Sequence, residues 1–488
     1  MDIYIVNMER EVLMSRNKEL IKNTFIILIG KISTQLITFL LLPIYTNFLS
    51  TTEYGKVDLI ITYISLFAPL ISLQLEYAAF RYLLEARKKE EKKGEIICNT
   101  LLVLSIISVI CIIIFIPIYF IINYRYAIHL IIILIITMFA NMLLQFARGL
   151  GDNLNYSIAS FITGVSNALI SIFLVVFFKK GIIGILLAMV ISNMLCVIYL
   201  FLRLKLYRVV FKYEFDKKLL KKLLKYSIPL IPNSICWWII SVSDRSVITW
   251  ILGAASNGIY SIAAKFSGVI VTLYNIFNLS WTETVSLHIN DSDANEYLSN
   301  TFNSIICFFA CGCIAIICIM PFAFNILIGE NYIDAYKYIP FLILGSFFNI
   351  IMGMLSAIYI GKKKSSEMAK TSAWAAILNV IINLIFVKLI GIWAAVISTV
   401  ISYLIVSLYR LCDVKKYVDL KVNQKNIVIL LFLFIFTTCL YFVNYLYVNV
   451  LSLLIMLIIS YFLNKDIIKN MYFKIKTKID GRVVYDKK

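Results

Sequence analysis

The chain has 488 residues, of which 61% are hydrophobic and 15% are charged, and its formal net charge is +19. This composition excludes a soluble globular domain, because apolar runs of about 20 residues recur along the whole chain and match the thickness of a bilayer. The positive charge does not indicate nucleic-acid binding, since the lysines lie between apolar runs and not on one solvated face.

The apolar runs predict an all-α, polytopic membrane protein with about fourteen transmembrane helices. In the first half we predict helices at 21–43, 56–78, 96–122, 127–147, 157–178 and 182–203. After a basic stretch, we predict helices at 226–252, 256–282, 298–322, 337–360, 368–387, 391–411, 427–446 and 448–464. The segment before the first helix lacks an apolar signal core, so we expect that helix to act as its own insertion signal.

The distribution of lysine and arginine predicts the orientation, because short basic loops are retained in the cytoplasm. With the N-terminus in the cytoplasm, most of the basic residues fall on that side, including the run ARKKEEKK in the loop 85–95 and the basic loop 203–225. The sequence therefore predicts a multi-pass protein of the cell membrane with both termini in the cytoplasm.

The two halves of the chain resemble each other. A shift of 203 residues places Lys22 on Lys225, Leu49 on Leu252 and Gly55 on Gly258, and a shift of 207 residues relates Gly184, Ile185 and Ala188 to Gly391, Ile392 and Ala395. Two six-helix halves in parallel repeat are one of the standard transporter architectures. We predict two six-helix bundles at 1–203 and 226–411, a basic cytoplasmic linker at 204–225, two additional helices within 412–464 and a basic cytoplasmic tail at 465–488.

Charged residues inside membrane helices are costly, so they usually face protein or water and have a function. Lys31 lies in the first predicted helix, Asp244 and Arg245 in the seventh, and Lys265 in the eighth. The positions related to them by the 203-residue shift are uncharged, so the scaffold does not require them. Asp244 and Arg245 could form ion pairs that only hold helices together, and Lys31 and Lys265 could snorkel; the alternative is a polar cavity that attracts an anion.

Further candidates lie towards the predicted helix ends. Arg81 and Arg148 fit a basic vestibule that faces the cytoplasm, although the bias of basic residues towards that side also explains them. A carboxylate in a cavity can exchange a proton or bind a sodium ion, so Asp244, Glu76 and Glu283 are candidates for coupling transport to an ion gradient. Glu76 and Glu283 could equally be ordinary solvated carboxylates.

The signals for an enzyme are weak. With only two histidines, His129 and His288, no histidine-based triad or metal cluster can be assembled. Asp291 and Asp293 form a DxD pattern of the kind that binds a metal in some glycosyltransferases, but the surrounding INDSDANE reads as a solvated acidic turn. A phosphate loop is absent from the sequence. We therefore expect no catalytic residues, no metal site and no cofactor beyond H⁺ or Na⁺ as a coupling ion.

Several segments, taken in order, resemble the oligosaccharide flippases of the Wzx type, in the polysaccharide transporter branch of the multidrug, oligosaccharidyl-lipid and polysaccharide exporter superfamily. They are the opening KNTFIILIGKISTQLITFLLLPIYTNFLSTTEYGKVDL, the start of the second half from YSIPLIPNS to SIAAKF, the segment GENYIDAYKYIPFLILG and the helix ILNVIINLIFVKLIGIWAA. The segments SDR at 243–245 and YSIAAK at 260–265 match the family pattern, so the resemblance extends to Arg245 and Lys265.

The resemblance implies that the protein alternates between inward- and outward-open states and moves an oligosaccharide linked to undecaprenyl diphosphate from the cytoplasmic to the outer leaflet. Such a flippase would serve O-antigen, capsule or exopolysaccharide synthesis and could work with a polymerase and chain-length machinery. The cations Lys31, Arg81, Arg148, Arg245 and Lys265 would attract the diphosphate. The alternatives are a cation-coupled drug or metabolite antiporter of the same superfamily and a membrane glycosyltransferase or polymerase.

Overall fold

The computed structural model describes residues 39–465, apart from residues 88, 123 and 211, together with the single residues 37 and 469. The predicted first helix at 21–43 therefore lies largely outside the described residues, and so does Lys31. Most of the predicted tail at 465–488 lies outside them too.

All the regular secondary structure of the described residues is helical, so the all-α prediction is confirmed. The chain divides into two units, of which the first contains the described residues up to Thr249 and the segment Gly253–Gly258. Its helices are α1 (Leu42–Phe48), α2 (Thr51–Ile71), α3 (Leu75–Glu85), α4 (Glu90–Ile122), α5 (Ala127–Leu150), α6 (Asn153–Ile172), α7 (Gly181–Arg203), α8 (Leu206–Val210), α9 (Lys217–Ser227) and α10 (Ile231–Leu252), whose last turn lies beyond this unit.

The second unit contains Trp250–Leu252 and the described residues from Ile259 onward. Its helices are α11 (Ala254–His288), whose first turn belongs to the first unit, α12 (Ala294–Leu327), α13 (Ile339–Gly361), α14 (Ser365–Ile390), α15 (Trp393–Asp413), α16 (Gln424–Val443) and α17 (Leu446–Leu463). A 3₁₀ segment at Glu330–Tyr338 precedes α13.

Most of these helices are long enough to cross a bilayer. Within the described residues, twelve spans have the required length and apolarity, and the pair Lys217–Ile240 and Val242–Leu252, bent by 55°, adds a thirteenth if it is one span. The predicted total of about fourteen includes the first helix at 21–43, which lies largely outside the described residues. The protein is therefore a multi-pass membrane protein, as predicted. The domain boundaries predicted at 203 and 225 stay a prediction.

The helix predicted at 56–78 is interrupted in the structure, because α2 ends at Ile71 and α3 begins at Leu75. Leu73 and Gln74 both have a left-handed backbone with φ of 55°. The N–H of Gln74 donates to the carbonyl of Pro69, and the N–H of Leu73 donates to that of Leu70, which is the Schellman arrangement that closes helices. Glycine usually occupies the left-handed position, so a leucine there makes the break strained and hard to predict from the sequence.

The starts of α2 and α11 pack backbone to backbone within the first unit. A Cβ on Gly55 would overlap the carbonyl oxygen of Ala254, and a Cβ on Gly258 would overlap the carbonyl oxygen of Thr51. The side-chain amide of Asn257 donates to the carbonyl of Gly55 at 3.0 Å. Small residues permit such close helix crossings. The two glycines that the 203-residue shift relates to each other therefore meet at one crossing.

An asparagine near the start of a long helix anchors a later helix in each unit. In the first unit, Asn99 on α4 accepts a hydrogen bond at 2.9 Å from the N–H of Asp216, which caps α9. In the second unit, Asn303 on α12 accepts one at 2.9 Å from the N–H of Asn423, which caps α16. Each asparagine also donates to the carbonyl four residues before it. The same junction is therefore built twice.

Candidate functional site

A cavity of about 880 Å³ opens among α2, α3, α5, α7 and α10 of the first unit. Much of its wall is aliphatic, and the described polar side chains among its lining are hydroxyls, amides and one carboxylate. The described polar and aromatic lining residues are Ser65, Gln74, Glu76, Tyr77, Thr137, Asn141, Asn193, Ser234, Trp237 and Trp238.

The break between α2 and α3 supplies three of the polar groups. Gln74, in the left-handed conformation, donates through its side-chain amide to the hydroxyl of Ser234 on α10. Glu76 is only 6% exposed and accepts a hydrogen bond at 2.8 Å from the hydroxyl of Ser72. Tyr77 follows on the first turn of α3 and also lines the cavity. An unbroken helix would present a different set of side chains here, so the strained turn builds this part of the wall.

Two tryptophans on α10 form an aromatic part of the wall. Trp238 is fixed, because its indole N–H donates to the carbonyl of Thr62 at 3.0 Å and its ring stacks on Tyr63 with centroids 6.5 Å apart. Trp237 is 46% exposed. One tryptophan of the wall is thus held by a hydrogen bond and ring stacking, whereas the ring of its neighbour is accessible to a ligand.

A smaller pocket of about 160 Å³ adjoins the first, since Glu76, Tyr77 and Asn141 line both. Its remaining lining residues are Leu144, Gln145 and Tyr156. The predicted site residue Arg148 lies beside this pocket but is not among its lining residues. Its guanidinium is 4.8 Å from the ring centre of Phe80 and 5.6 Å from that of Tyr156, and it donates to the side-chain oxygen of Gln145 at 3.2 Å.

Arg245 forms an ion pair and does not line the cavity. Its Nε lies 3.4 Å from Oδ2 of Asp58, which is 3% exposed, and its Nη1 donates to the hydroxyl of Thr62 at 3.4 Å. Sequence reasoning missed Asp58, although it is a lone carboxylate in the apolar run that follows Gly55. Asp244 is also buried, at 4% exposure.

The other predicted site residues are spread along the chain. Arg81 pairs with Glu85 at 3.1 Å, and both side chains are more than half exposed. Lys265 and Glu283 lie on α11 in the second unit, where Lys265 is partly buried and Glu283 is exposed. Of the eight predicted residues, the structure thus places Glu76 in the wall of the cavity and Arg148 beside the smaller pocket.

The second unit contains a buried cation that sequence reasoning also missed. Arg410 on α15 is completely buried, and none of the ion pairs among the described residues involves it. All five of its N–H groups donate to uncharged oxygens at 2.6 to 3.0 Å, on the carbonyls of Met352 and Met368 and the hydroxyls of Ser356, Thr371 and Ser372. Its donors are fully used, so Arg410 connects α13, α14 and α15 and is not available to a ligand.

Comparisons with known proteins agree with this architecture. The family described as "Polysaccharide biosynthesis protein" matches residues 20–281, which is more than half of the chain. No curated protein matches the sequence significantly.

Among solved structures, the chain is similar to the lipid II flippase MurJ in an inward closed conformation, with 18% identity, a TM-score of 0.66, and coverage of 92% of this chain and 100% of that one. It is also similar to an inward-facing multidrug resistance MATE family transporter of the MOP superfamily, with 15% identity, a TM-score of 0.65, and coverage of 81% and 98%. A mutant of the Vibrio cholerae MATE transporter VcmN gives 12% identity, a TM-score of 0.57, and coverage of 83% and 97%. At these identities the similarity establishes the fold.

Proposed function

The chain belongs to the polysaccharide biosynthesis protein family, and on this premise we propose that it is a flippase for a lipid-linked oligosaccharide. The substrate would be a sugar repeat unit on undecaprenyl diphosphate, moved by alternating access from the cytoplasmic to the outer leaflet for O-antigen, capsule or exopolysaccharide synthesis. The protein would have no catalytic role. It would lie in the cell membrane with both termini in the cytoplasm.

The cavity of the first unit carries this proposal. A sugar loses its hydrogen bonds to water when it enters a bilayer, so a site that moves it must offer replacement donors and acceptors. Gln74, Asn141 and Asn193 supply amides that can both donate and accept, and Trp237 presents an apolar ring face. The volume of about 880 Å³ falls within the range of small-molecule sites, about 300–1,000 Å³.

The diphosphate requires cationic partners, and the described lining of this cavity contains no lysine or arginine. We propose that Lys31 and Lys265 serve this purpose, and that Arg81 and Arg148 help to recruit the anionic lipid at the cytoplasmic side. The ion pair with Asp58 favours a different role for Arg245, namely holding α10 against α2.

For coupling, we propose exchange of H⁺ or Na⁺ at Glu76, because it is a buried carboxylate that lines the cavity and also the smaller pocket that adjoins it. Asp244 and Glu283 stay predicted alternatives for this role. A polymerase and chain-length machinery are the partners to be expected for a repeat-unit flippase.

One observation favours a second candidate function, a cation-coupled drug or metabolite antiporter. Among its described lining residues, the first cavity combines a largely apolar wall with one carboxylate, Glu76, and the exposed indole of Trp237, which suits an organic cation. The two candidates differ in whether the transported molecule must carry sugar and diphosphate.

The test is a flipping assay in proteoliposomes with a fluorescent oligosaccharide on a diphosphate-linked lipid. We expect the intact protein to move the probe and Asn141→Leu, which removes a cavity amide, to slow it. Asn47→Leu, at an exposed position on α1, is the matched control and should transport normally. If the intact protein leaves the probe in place but extrudes a fluorescent organic cation, the antiporter is correct and the flippase is not.

A further inference from the structure

The charge of the cavity wall restricts the chemistry of its ligand. Among the described residues that line the larger cavity, Glu76 is the only acidic or basic side chain, and none is a lysine or an arginine. The smaller pocket that adjoins it repeats this pattern, since Glu76 is again the only acidic or basic residue of its lining. The described lining residues of both pockets therefore contribute no positive charge.

Two arginines close to this wall contact protein groups and are not among its lining residues. Arg148, beside the smaller pocket, is held over two aromatic rings and bonded to Gln145. Arg245, on the helix that carries the two tryptophans, is paired with Asp58. An acidic sugar in this cavity would thus meet a carboxylate and would lack a free cationic partner among the described lining residues.

Burying a carboxylate or phosphate without a cationic partner is strongly unfavourable, and a second carboxylate close by increases the cost. An uncharged sugar meets no such penalty. Its hydroxyls can bond to the amides of Gln74, Asn141 and Asn193, and the apolar face of its ring can lie against Trp237. Glu76 can also accept a hydrogen bond from a sugar hydroxyl, whether its carboxyl group is ionised or protonated.

We propose that the first-unit cavity selects an uncharged sugar head group and discriminates against uronic acids and phosphate-substituted sugars, with Glu76 enforcing the discrimination and Trp237 binding the sugar face. This inference rests on the proposed flippase function and specifies its substrate class. The diphosphate is not part of the selected head group, since it is common to all such carriers.

The experiment compares two diphosphate-linked lipid probes that share the same lipid and sugar number and differ only at the terminal residue, which is glucose in one and glucuronic acid in the other. Both are tested in proteoliposomes that contain the intact protein. We expect the neutral probe to move at least about ten-fold faster, which corresponds to about 1.4 kcal/mol of discrimination.

Two variants locate the origin of the preference, and two serve as controls. Glu76→Lys places a cation in the wall and should reduce or reverse the preference. Trp237→Ala should slow the neutral probe. Trp250→Ala removes a tryptophan that is 73% exposed and should leave the rate unchanged, and Glu91→Gln removes an exposed carboxylate and should leave the preference unchanged.

The outcomes separate this inference from the function on which it rests. If both probes move equally fast, or if the acidic probe moves faster, the inference is wrong and the flippase proposal stands. If neither probe moves, the flippase proposal itself is wrong. Gel filtration shows whether Glu76→Lys is folded. If it is not, the ratio of the two transport rates in the intact protein still tests the inference. Glu76→Gln, which keeps the size of the side chain, must then weaken the preference for the neutral probe. An unchanged ratio in a folded Glu76→Lys protein would also refute the assignment to Glu76.

Discussion

Replacing Arg410 by lysine keeps the buried charge but removes the forked guanidinium that joins three helices of the second unit. Arginine has five N–H donors in a fixed plane, whereas lysine has three on a single nitrogen. All five donors of Arg410 are used in the structure, so at least two of its acceptors lose their partner in Arg410→Lys. We therefore expect Arg410→Lys to lower the stability of the protein, even though the substitution conserves charge.

The size of the effect follows from the lost bonds. A hydrogen bond from a charged donor contributes about 1.5–3 kcal/mol, so losing two of them costs about 3–6 kcal/mol. Because the shortened cation stays fully buried among uncharged oxygens, relaxation towards water cannot recover this energy. For a unit of this size, each kcal/mol lowers the melting temperature by about 2–4 °C, so the decrease should be at least about 6 °C.

The measurement is thermal unfolding of the purified protein in detergent, with Arg203→Lys as the matched control. Arg203 lies at the exposed end of α7, so its replacement should leave the melting temperature within about 1 °C of the unmodified protein. Equal melting temperatures for Arg410→Lys and Arg203→Lys would show that the five-bond arrangement contributes little, and the reasoning from saturated donors would be wrong.

Two further predictions concern the first unit. Asp58→Asn and Arg245→Ala should be non-additive in a double-mutant cycle of unfolding, with a coupling of about 0.5–3 kcal/mol, because the two side chains contact each other; additive effects would contradict the ion pair. Gly55→Ala should destabilise the protein by about 1–3 kcal/mol through overlap with Ala254, whereas Gly268→Ala, whose added Cβ meets nothing within 4 Å, should be neutral or stabilising. Equal melting temperatures for the two glycine variants would refute the close crossing.

The class of fold could be predicted from the sequence because a bilayer imposes a simple requirement on length and apolarity. Apart from the helix predicted at 226–252, which the structure bends by 55° between Ile240 and Val242, each predicted helix from 96 onward appears within about six residues of its predicted bounds. The last two of them are α16 and α17. The match over residues 20–281 confirms that the chain belongs to a polysaccharide biosynthesis family, and the similarity to a lipid II flippase and a MATE transporter confirms the fold.

The break after α2 could not be predicted, because the local sequence lacks the usual signal. A left-handed residue at a helix end is normally glycine, and here leucine and glutamine occupy the two left-handed positions, Leu73 and Gln74. The largely apolar segment 56–78 therefore predicts one uninterrupted helix. In the folded protein the helix is nevertheless broken at this point, and the cavity wall is built from the residues at the break.

The site was predicted only in part, because a sequence shows where a charge lies along a helix and not what it faces. The search for charges near helix centres found Arg245 but not its partner Asp58, which lies nearer a helix start. Arg410, near the end of α15, reads as an ordinary orientation signal, since basic residues accumulate at cytoplasmic ends for that reason alone. Its complete burial could be recognised only in three dimensions.

The junction formed by Asn99 and Asp216, and again by Asn303 and Asn423, bears on how the C-terminal helices are attached. In the first unit this junction fixes the cap of α9, and in the second unit it fixes the cap of α16. In both units the start of a later helix is therefore held by a side chain of a long helix and not only by the loop before it. A change in the length of either loop would leave the position of the helix start determined by its asparagine.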